Sequence, residues 1–488
     1  MRESLSITGR TLATTMAMLL ILGSFGVAHA APDEGEKKSW SLDELLVSAR
    51  ATSPIMAVAR AKLANYMALF DRAYYSWTPR LSIDAVLAPL PERRELRECV
   101  SLSATDPLNN LSEVLPCPGQ NLETDERITA DTEIGILVQS SLKLTFPIYT
   151  FGKVKYGLEA ARAGLEVGRS GLDYARGELD YLVKKAYYGA QMAETALGVL
   201  KEGRKKLVKA KSKVESELEK ETGRFTSNDL RKLIIDEAEL ESGYLETEAL
   251  NGQAWAAIRI AAAARPGTRL ELDSLKLEPV HIETRSTEEY IELAQDARPD
   301  LRVARAAVQA RRAQVQMAVA EFFPNIALVG GFRYSKGTTA DDPVDPFASD
   351  SYNYLGWGVV LGAEWDLDYS VLISAHRQAQ AKLAEQKAQF DLLMQKVRLE
   401  VTAEVTEMVR RRKELTSRRL AMKAGKAWLV SNSLNFGLGL TKIDDLLKSL
   451  VGYSKARLTY YRIIYEYNLT VARLSQSVGS ELAVPAPK

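Results

Sequence analysis

The stretch EIGILVQSSLKLTF, residues 133–146, decides how the rest of the chain reads. Ile134, Ile136, Val138, Ser140, Leu142, Leu144 and Phe146 fall on one face. Glu133, Gly135, Leu137, Gln139, Ser141, Lys143 and Thr145 fall on the other. Strict period two with one apolar and one polar face is the mark of a strand. Its length suits a tilted strand crossing a bilayer, which needs ~9–11 residues. A second such strand lies at 354–367, where Leu355, Trp357, Val359, Leu361, Ala363, Trp365 and Leu367 share a face. The spacing of Trp357 and Trp365 fits two interfacial aromatic girdles. Shorter strands are expected at 81–90 and 325–334.

Downstream of residue 146 the period changes. Leu158, Leu165, Leu172, Leu179, Ala186, Ala193, Leu200, Leu207 and Val214 hold one heptad position, and Ala161, Gly168, Ala175, Leu182, Gly189, Ala196, Gly203 and Ala210 the other. A seam of alternating three and four over about eight heptads is a coiled-coil pattern. Leu450, Tyr453, Arg457, Tyr460, Ile464, Tyr467, Val471, Leu474 and Val478 repeat the rhythm near the end of the chain, with Arg457 the exception. At 1.5 Å per residue, arms of ~50 residues reach ~75 Å, too long for a compact core.

The chain states this plan twice: helix, an aromatic-proline break (Trp77-Thr78-Pro79, then Phe322-Phe323-Pro324), strand, loop, strand, helical hairpin. A repeat of this kind governs the fold. The expected organisation is a first repeat at 31–285 and a second at 286–480, with a tail at 481–488. The first holds a helix at 40–78, strands 81–90 and 133–146, a helical hairpin at 152–262 and an equatorial segment at 263–285. The second holds a helix at 287–323, strands 325–334 and 354–367, and a hairpin at 370–478. Four strands cannot sit open in lipid, because their edges would leave backbone groups unpaired. Two chains would supply eight strands and three would supply twelve; the strands alone leave both open.

Residues 1–30 read as a signal peptide, with Arg2 and Arg10 ahead of Met16–Leu22 and Ala28-His29-Ala30 as the cleavage site; an uncleaved anchor is the other reading. Cys99 and Cys117 share one loop and would pair in an oxidising compartment, the alternative being two unpaired thiols. Lys and Arg number 64 against 63 Asp and Glu, for a net charge of +1. That interspersed balance speaks against a nucleic-acid partner. His29, His281 and His376 lie far apart, with no metal-ligand spacing, phosphate loop or nucleophile motif. No enzyme activity, cofactor or metal is expected.

Each hairpin needs one reversal. The candidates are 222–230 and 436–446, where glycine permits the turn and Ser227 or Thr441 could cap the returning helix. Asp444 and Asp445 suit a helix N-terminus; gathered at a tube end, such carboxylates would favour cations and gate a pore.

These residues resemble the TolC-like outer-membrane efflux proteins, over about 40–480. Leu144–Tyr149 followed by Phe151-Gly152-Lys153 and Leu158–Arg162 is similar to the family's strand-to-helix transition. Arg298-Pro299-Asp300-Leu301 leading to Phe322-Phe323-Pro324 resembles its helix entering the third strand. Gly439–Leu446 with Tyr453, Ala456, Tyr460, Tyr467 and Asn468 resembles its second tip and return helix. The resemblance implies an α+β membrane protein: a homotrimer whose twelve strands form an outer-membrane β-barrel continuous with a periplasmic α-helical barrel. It implies an equatorial collar from about 262–290 and 40–55. It also implies passive export, with a periplasmic adaptor and an inner-membrane pump or secretion ATPase as partners. Gly223, Arg224, Phe225, Gly439, Leu440 and Thr441 would dock the adaptor, and Gln139, Ser141, Lys143 and Glu364 would face the lumen. Asp445 matches the first acidic gate position, whereas Lys448 stands where a second acid would be and Asp444 lies beside them. The exit Trp365-Asp366-Leu367-Asp368-Tyr369 lacks the usual glycine pair. Drug, metal-ion and protein cargo all remain open. The rival is a periplasmic coiled-coil scaffold or binding protein.

Overall fold

The computed structural model describes residues 38–91, 134–220, 225–264, 270–340 and 352–484. The expected signal peptide and the Cys99–Cys117 pair lie outside the described residues. In chain order the elements are β1 (Lys38–Trp40), α1 (Leu42–Thr52), α2 (Pro54–Tyr74), a 3-10 turn (Tyr75–Trp77), β2 (Arg80–Pro91), β3 (Ile134–Tyr149), α3 (Lys153–Glu219) and α4 (Ser227–Ala261). Then follow β4 (Leu270–Leu272), β5 (His281–Ile282), α5 (Thr287–Ala297), α6 (Pro299–Ala320), β6 (Asn325–Gly337), β7 (Tyr354–Glu364), α7 (Tyr369–Leu438), α8 (Ile443–Val478) and β8 (Ala483–Val484).

One antiparallel sheet, in the order β2-β3-β6-β7, forms one end. β7 stops at Glu364, so Trp365 and Leu367 stand beyond the strand rather than within it. The helices form a wall. Nearest the sheet its order is α2–α3–α6–α7; farther away it is α4–α3–α8–α7. The hairpin arms are not equal, as the sequence had suggested. α3 and α7 have 67 and 70 residues, while α4 and α8 have 35 and 36. The long arms therefore run roughly 100 Å, and the return arms stop about halfway.

The two leading helices are also broken, contrary to the single helices expected at 40–78 and 287–323. Ser53 (φ −63°, ψ 134°) and Arg298 (φ −68°, ψ 121°) are extended, because a following proline excludes the residue before it from helical geometry. Pro54 and Pro299 then open the next helix, where a missing N–H costs nothing. Each short helix starts with a capping box. Ser41 Oγ accepts from Glu44 N (3.2 Å) and Glu44 accepts from Ser41 N (3.0 Å); Ser286 and Glu289 do the same at 3.2 and 3.3 Å. Both boxes and both breaks sit at the sequence offset that relates Pro79 to Pro324.

At these breaks lie two of the three apolar cores. Leu45, Ala49 and Met56 pack with Leu179, Val183 and Ile258. Their counterparts Tyr290, Ala294 and Leu301 pack with Val397, Val401 and Leu474. A collar surrounds them. β1 pairs with β4 in parallel, and β5 pairs antiparallel with β8. The 481–488 segment is thus corrected from a mere tail: Ala483–Val484 closes the collar. Asn468 holds the collar to α8, donating to Glu278 O (2.8 Å) and accepting from Val280 N (2.9 Å). The third core, Leu207, Val214, Phe225, Leu233, Leu429, Phe436 and Leu447, joins both hairpins near their tips.

Candidate functional site

Register fixes the two faces of the sheet, since paired residues in antiparallel strands project the same way. Leu81 pairs with Leu144, Ile83 with Leu142 and Leu87 with Val138. Leu142 in turn meets Phe332, and Phe332 meets Trp357. Leu328 and Leu361 extend the same face. Most of these side chains are exposed, Trp357 at 82%. A continuous exposed apolar face across four strands is what lipid requires and water does not tolerate.

The opposite face is polar. Asp84, Ser141 and Arg333 form one row across three strands, with Val86, Gln139 and Ser335 the next. Ser141 Oγ donates to Asp84 (3.3 Å), and Gln139 Nε2 donates to Ser335 Oγ (3.3 Å). Lys143 lies on this face, as does Glu364 opposite Asn325. All four residues read from the sequence as lumen-facing share it. Sequence reading missed Arg80, Asp84 and Arg333, though each alternates with apolar neighbours that carry the signal.

Where strands give way to helices, aromatic rings gather. Phe151 stacks on Phe323 (5.2 Å between centroids) and meets Tyr149 edge-on (4.7 Å). Trp365 Nε1 donates to Phe322 O at 3.1 Å. Rings with one polar end favour a membrane–water boundary. β3 turns into α3 through two left-handed residues, Phe151 (φ 50°) and Gly152 (φ 100°). The β7–α7 passage has neither; Asp368 caps it by accepting from Val371 N (3.3 Å).

At the far end the tips are pinned together. Lys232 on α4 donates to both carboxylate oxygens of Asp444 on α8, at 3.0 and 3.1 Å. The Lys232 hydrogen bond, aided by the charges of Lys448 and Lys442, holds the Asp444 carboxyl below its ordinary value. Asp445 is exposed; its backbone carbonyl accepts from Asn432 (2.9 Å). Gly439, at φ 84°, ends α7, and Leu440 is 77% exposed. Gly223 and Arg224 lie outside the described residues. Phe225 is not available for docking: it is 8% exposed and its ring meets Phe436 at 5.7 Å. Thr226, not Ser227, caps α4 through a capping box with Asp229. Lys442 precedes α8 without a side-chain cap, so Thr441 does not serve there. Nothing in the sequence pointed to Lys232, because its partner lies on the other hairpin.

No helix among the described residues is long and apolar enough to cross a membrane, and no cluster there could hold a metal ion. A four-stranded sheet with one exposed apolar face thus runs on into a long helical wall. Residues 290–480 match the outer membrane efflux protein family. The chain is similar to the solved outer-membrane channel OprN, with 18% identity over 90% of each chain and a TM-score of 0.68. It is similar to VceC of Vibrio cholerae, with 16% identity over 90% of this chain and 96% of that one (0.68). It also resembles the open state of MtrE of Neisseria gonorrhoeae, with 17% identity over 92% and 91% (0.69). No curated protein matches by sequence. Residues 290–480 thus carry the outer membrane efflux protein pattern, and the chain as a whole shares the fold of these solved channels.

Proposed function

We propose that three copies close side by side into a passive duct carrying solutes from a periplasmic adaptor and inner-membrane pump to the outside. One observation carries this reading: every layer of the chain opens at the same two edges. The sheet ends in β2 and β7, and the helical wall ends in α2 and α4 on one side and α7 on the other. A head-to-tail contact that closes on itself makes a ring. Three four-stranded sheets would then form a twelve-stranded barrel, with the apolar face in lipid and Gln139, Ser141, Lys143 and Glu364 inside.

The α7 edge supports it. Leu392, Leu399, Leu420 and Leu434 all occupy one heptad position and are exposed, Leu399 at 73%. That is half of a coiled-coil seam. Ile235, Leu250 and Ile260 are exposed on α4, at the opposite edge. The double change Leu399→Glu, Leu420→Glu is expected to abolish the heat-modifiable oligomer in detergent while helical circular dichroism survives. An unchanged oligomer band would overturn the edge-to-edge assembly. Recovery of the unaltered protein as a soluble periplasmic species would favour the scaffold reading instead.

The tips would gate the duct. The Lys232–Asp444 pair ties the two hairpins of one chain, so splaying them must break it. Lys232→Ala is expected to raise conductance in planar bilayers several-fold, and conductance equal to that of the unaltered protein would remove the pair from the gate. The pH dependence follows from the shifts. Asp444 is held below its ordinary 3.8 and Lys232 above its ordinary 10.5. The carboxylate's contribution is complete above 3.8 and lost as pH falls through the lower folded value; the amine's is complete below 10.5 and lost above it. Closure through this pair should therefore be flat from about pH 5 to 9 and fail only in stronger acid or base.

A further inference from the structure

We infer that the polar face of the sheet carries an anion-preferring band, so that the exported solutes include ones bearing carboxylate or phosphate groups. This rests on the duct reading, which places that face toward the lumen. The band is set by Arg333 and Lys143. Arg333 stands in the row of Asp84 and Ser141, and Lys143 in the next polar row toward the helices. Both are exposed, and neither has an ion pair among the described residues.

The acids on this face do not cancel them. Asp84 is two strands from Arg333, about 10 Å, and diagonal to Lys143 at roughly 7–8 Å; it already accepts from Ser141 and, as a single charge, offsets one cation of the band. Glu364 lies eight positions along β7 from Gly356, the partner of Arg333, or about 27 Å at strand rise. That exceeds the Debye length of about 8–10 Å at ordinary salt. Arg80 adds a third cation two polar rows from Asp84. The neighbouring strands contribute bare backbone: Lys143 pairs with Gly331, which pairs with Gly358, and a Cβ at either glycine would meet nothing within 4 Å. Toward β6 and β7 the long cationic side chains thus stand over open floor, and the single carboxylate of Asp84 on the β2 side leaves Arg80, Lys143 and Arg333 in excess. Closing identical chains into a ring would repeat the excess once per copy, and charge rings of this kind select ions by sign.

Reversal potentials across planar bilayers under a KCl gradient test the band. At about 0.1 M salt, where screening reaches ~10 Å, chloride is expected to be favoured over potassium by at least ~2-fold. Arg333→Gln with Lys143→Gln should bring the ratio near unity or below. Arg333→Lys with Lys143→Arg, keeping the charges, should preserve it, and Asp84→Asn should raise it. The tip is the same in every variant, so its contribution cancels in the comparison. Channels of normal conductance whose ratio ignores the double neutralisation would overturn the band while leaving the duct intact. Absence of any conductance from the unaltered protein would overturn the duct itself.

Discussion

Arg298→Ala is expected to lower the stability of the protein by about 3 kcal/mol, the low end for removing one partner of a buried charge cluster. The side chain is 8% exposed at the break between α5 and α6. Its Nε donates to both oxygens of Asp300 (2.8 and 3.0 Å), one Nη to Glu400 (2.8 Å) on α7, and the other to the carbonyl of Ser477 (2.9 Å) on α8. Burial alone would lower its pKa, but the hydrogen bonds to Asp300 and Glu400 outweigh it and the value is raised. One planar fork therefore ties three helices at the level where they change partners. Alanine leaves two carboxylates facing each other without a cation and strands the Ser477 carbonyl. Ser477 Oγ, which donates to Glu400 (3.1 Å), compensates only in part. The low end of the range applies because Asp300 and Glu400 retain some contact with water. Arg298→Lys should fall between, since an ammonium keeps the charge but not the fork. The thermal melting midpoint of the detergent-solubilised protein measures this, and a midpoint matching the unaltered protein would show that the cluster does not hold the junction.

Gly479→Ala should cost a comparable amount by a different route. Gly479 ends α8 at φ 80°, a conformation that costs an L residue about 1–2 kcal/mol. A Cβ there would also stand 2.8 Å from Arg298 Cα and 2.9 Å from the carbonyl carbon and oxygen of Ala297. Those are backbone atoms of the α5–α6 break, which cannot turn aside as a side chain can. Strain and overlap together should reach about 3 kcal/mol. Gly437→Ala is the control. It lies within α7 with nothing within 4 Å of the added carbon, and helix propensity favours alanine there. A melting midpoint for Gly479→Ala no lower than that of Gly437→Ala would contradict the close approach. The two large effects should not add, because both substitutions act on one junction.

The faces of the sheet were legible because a period of two leaves each residue only one of two sides. Gln139, Ser141 and Lys143 needed no tertiary information to be placed together. The α3 seam was legible for the same reason: of its heptad residues only Leu182 is exposed. The broken helices were legible too and were overridden. Ser53-Pro54 and Arg298-Pro299 carry the local signal, as do Ser41-x-x-Glu44 and Ser286-x-x-Glu289, but the helical rhythm on either side disguised them. The unequal arms were not readable, because where a return helix ends depends on what packs beyond it. Lys232 and Asp444 belong to different hairpins, and no periodicity links them. Phe225 looked like an exposed turn residue by position; only the tip core reveals it as filler between Leu233 and Phe436.

The half-length return arms carry a mechanical consequence. At the collar only α3 and α7 pass through unbroken, while α2 gives way to α4 and α6 to α8 across short helices held by side-chain contacts. In the proposed duct, bending stress at the hairpin tips would thus reach the sheet along two continuous rods per chain, and the other two positions would act as couplings. The collar is where the lower part of such a duct would rotate without shearing the ring of strands above it.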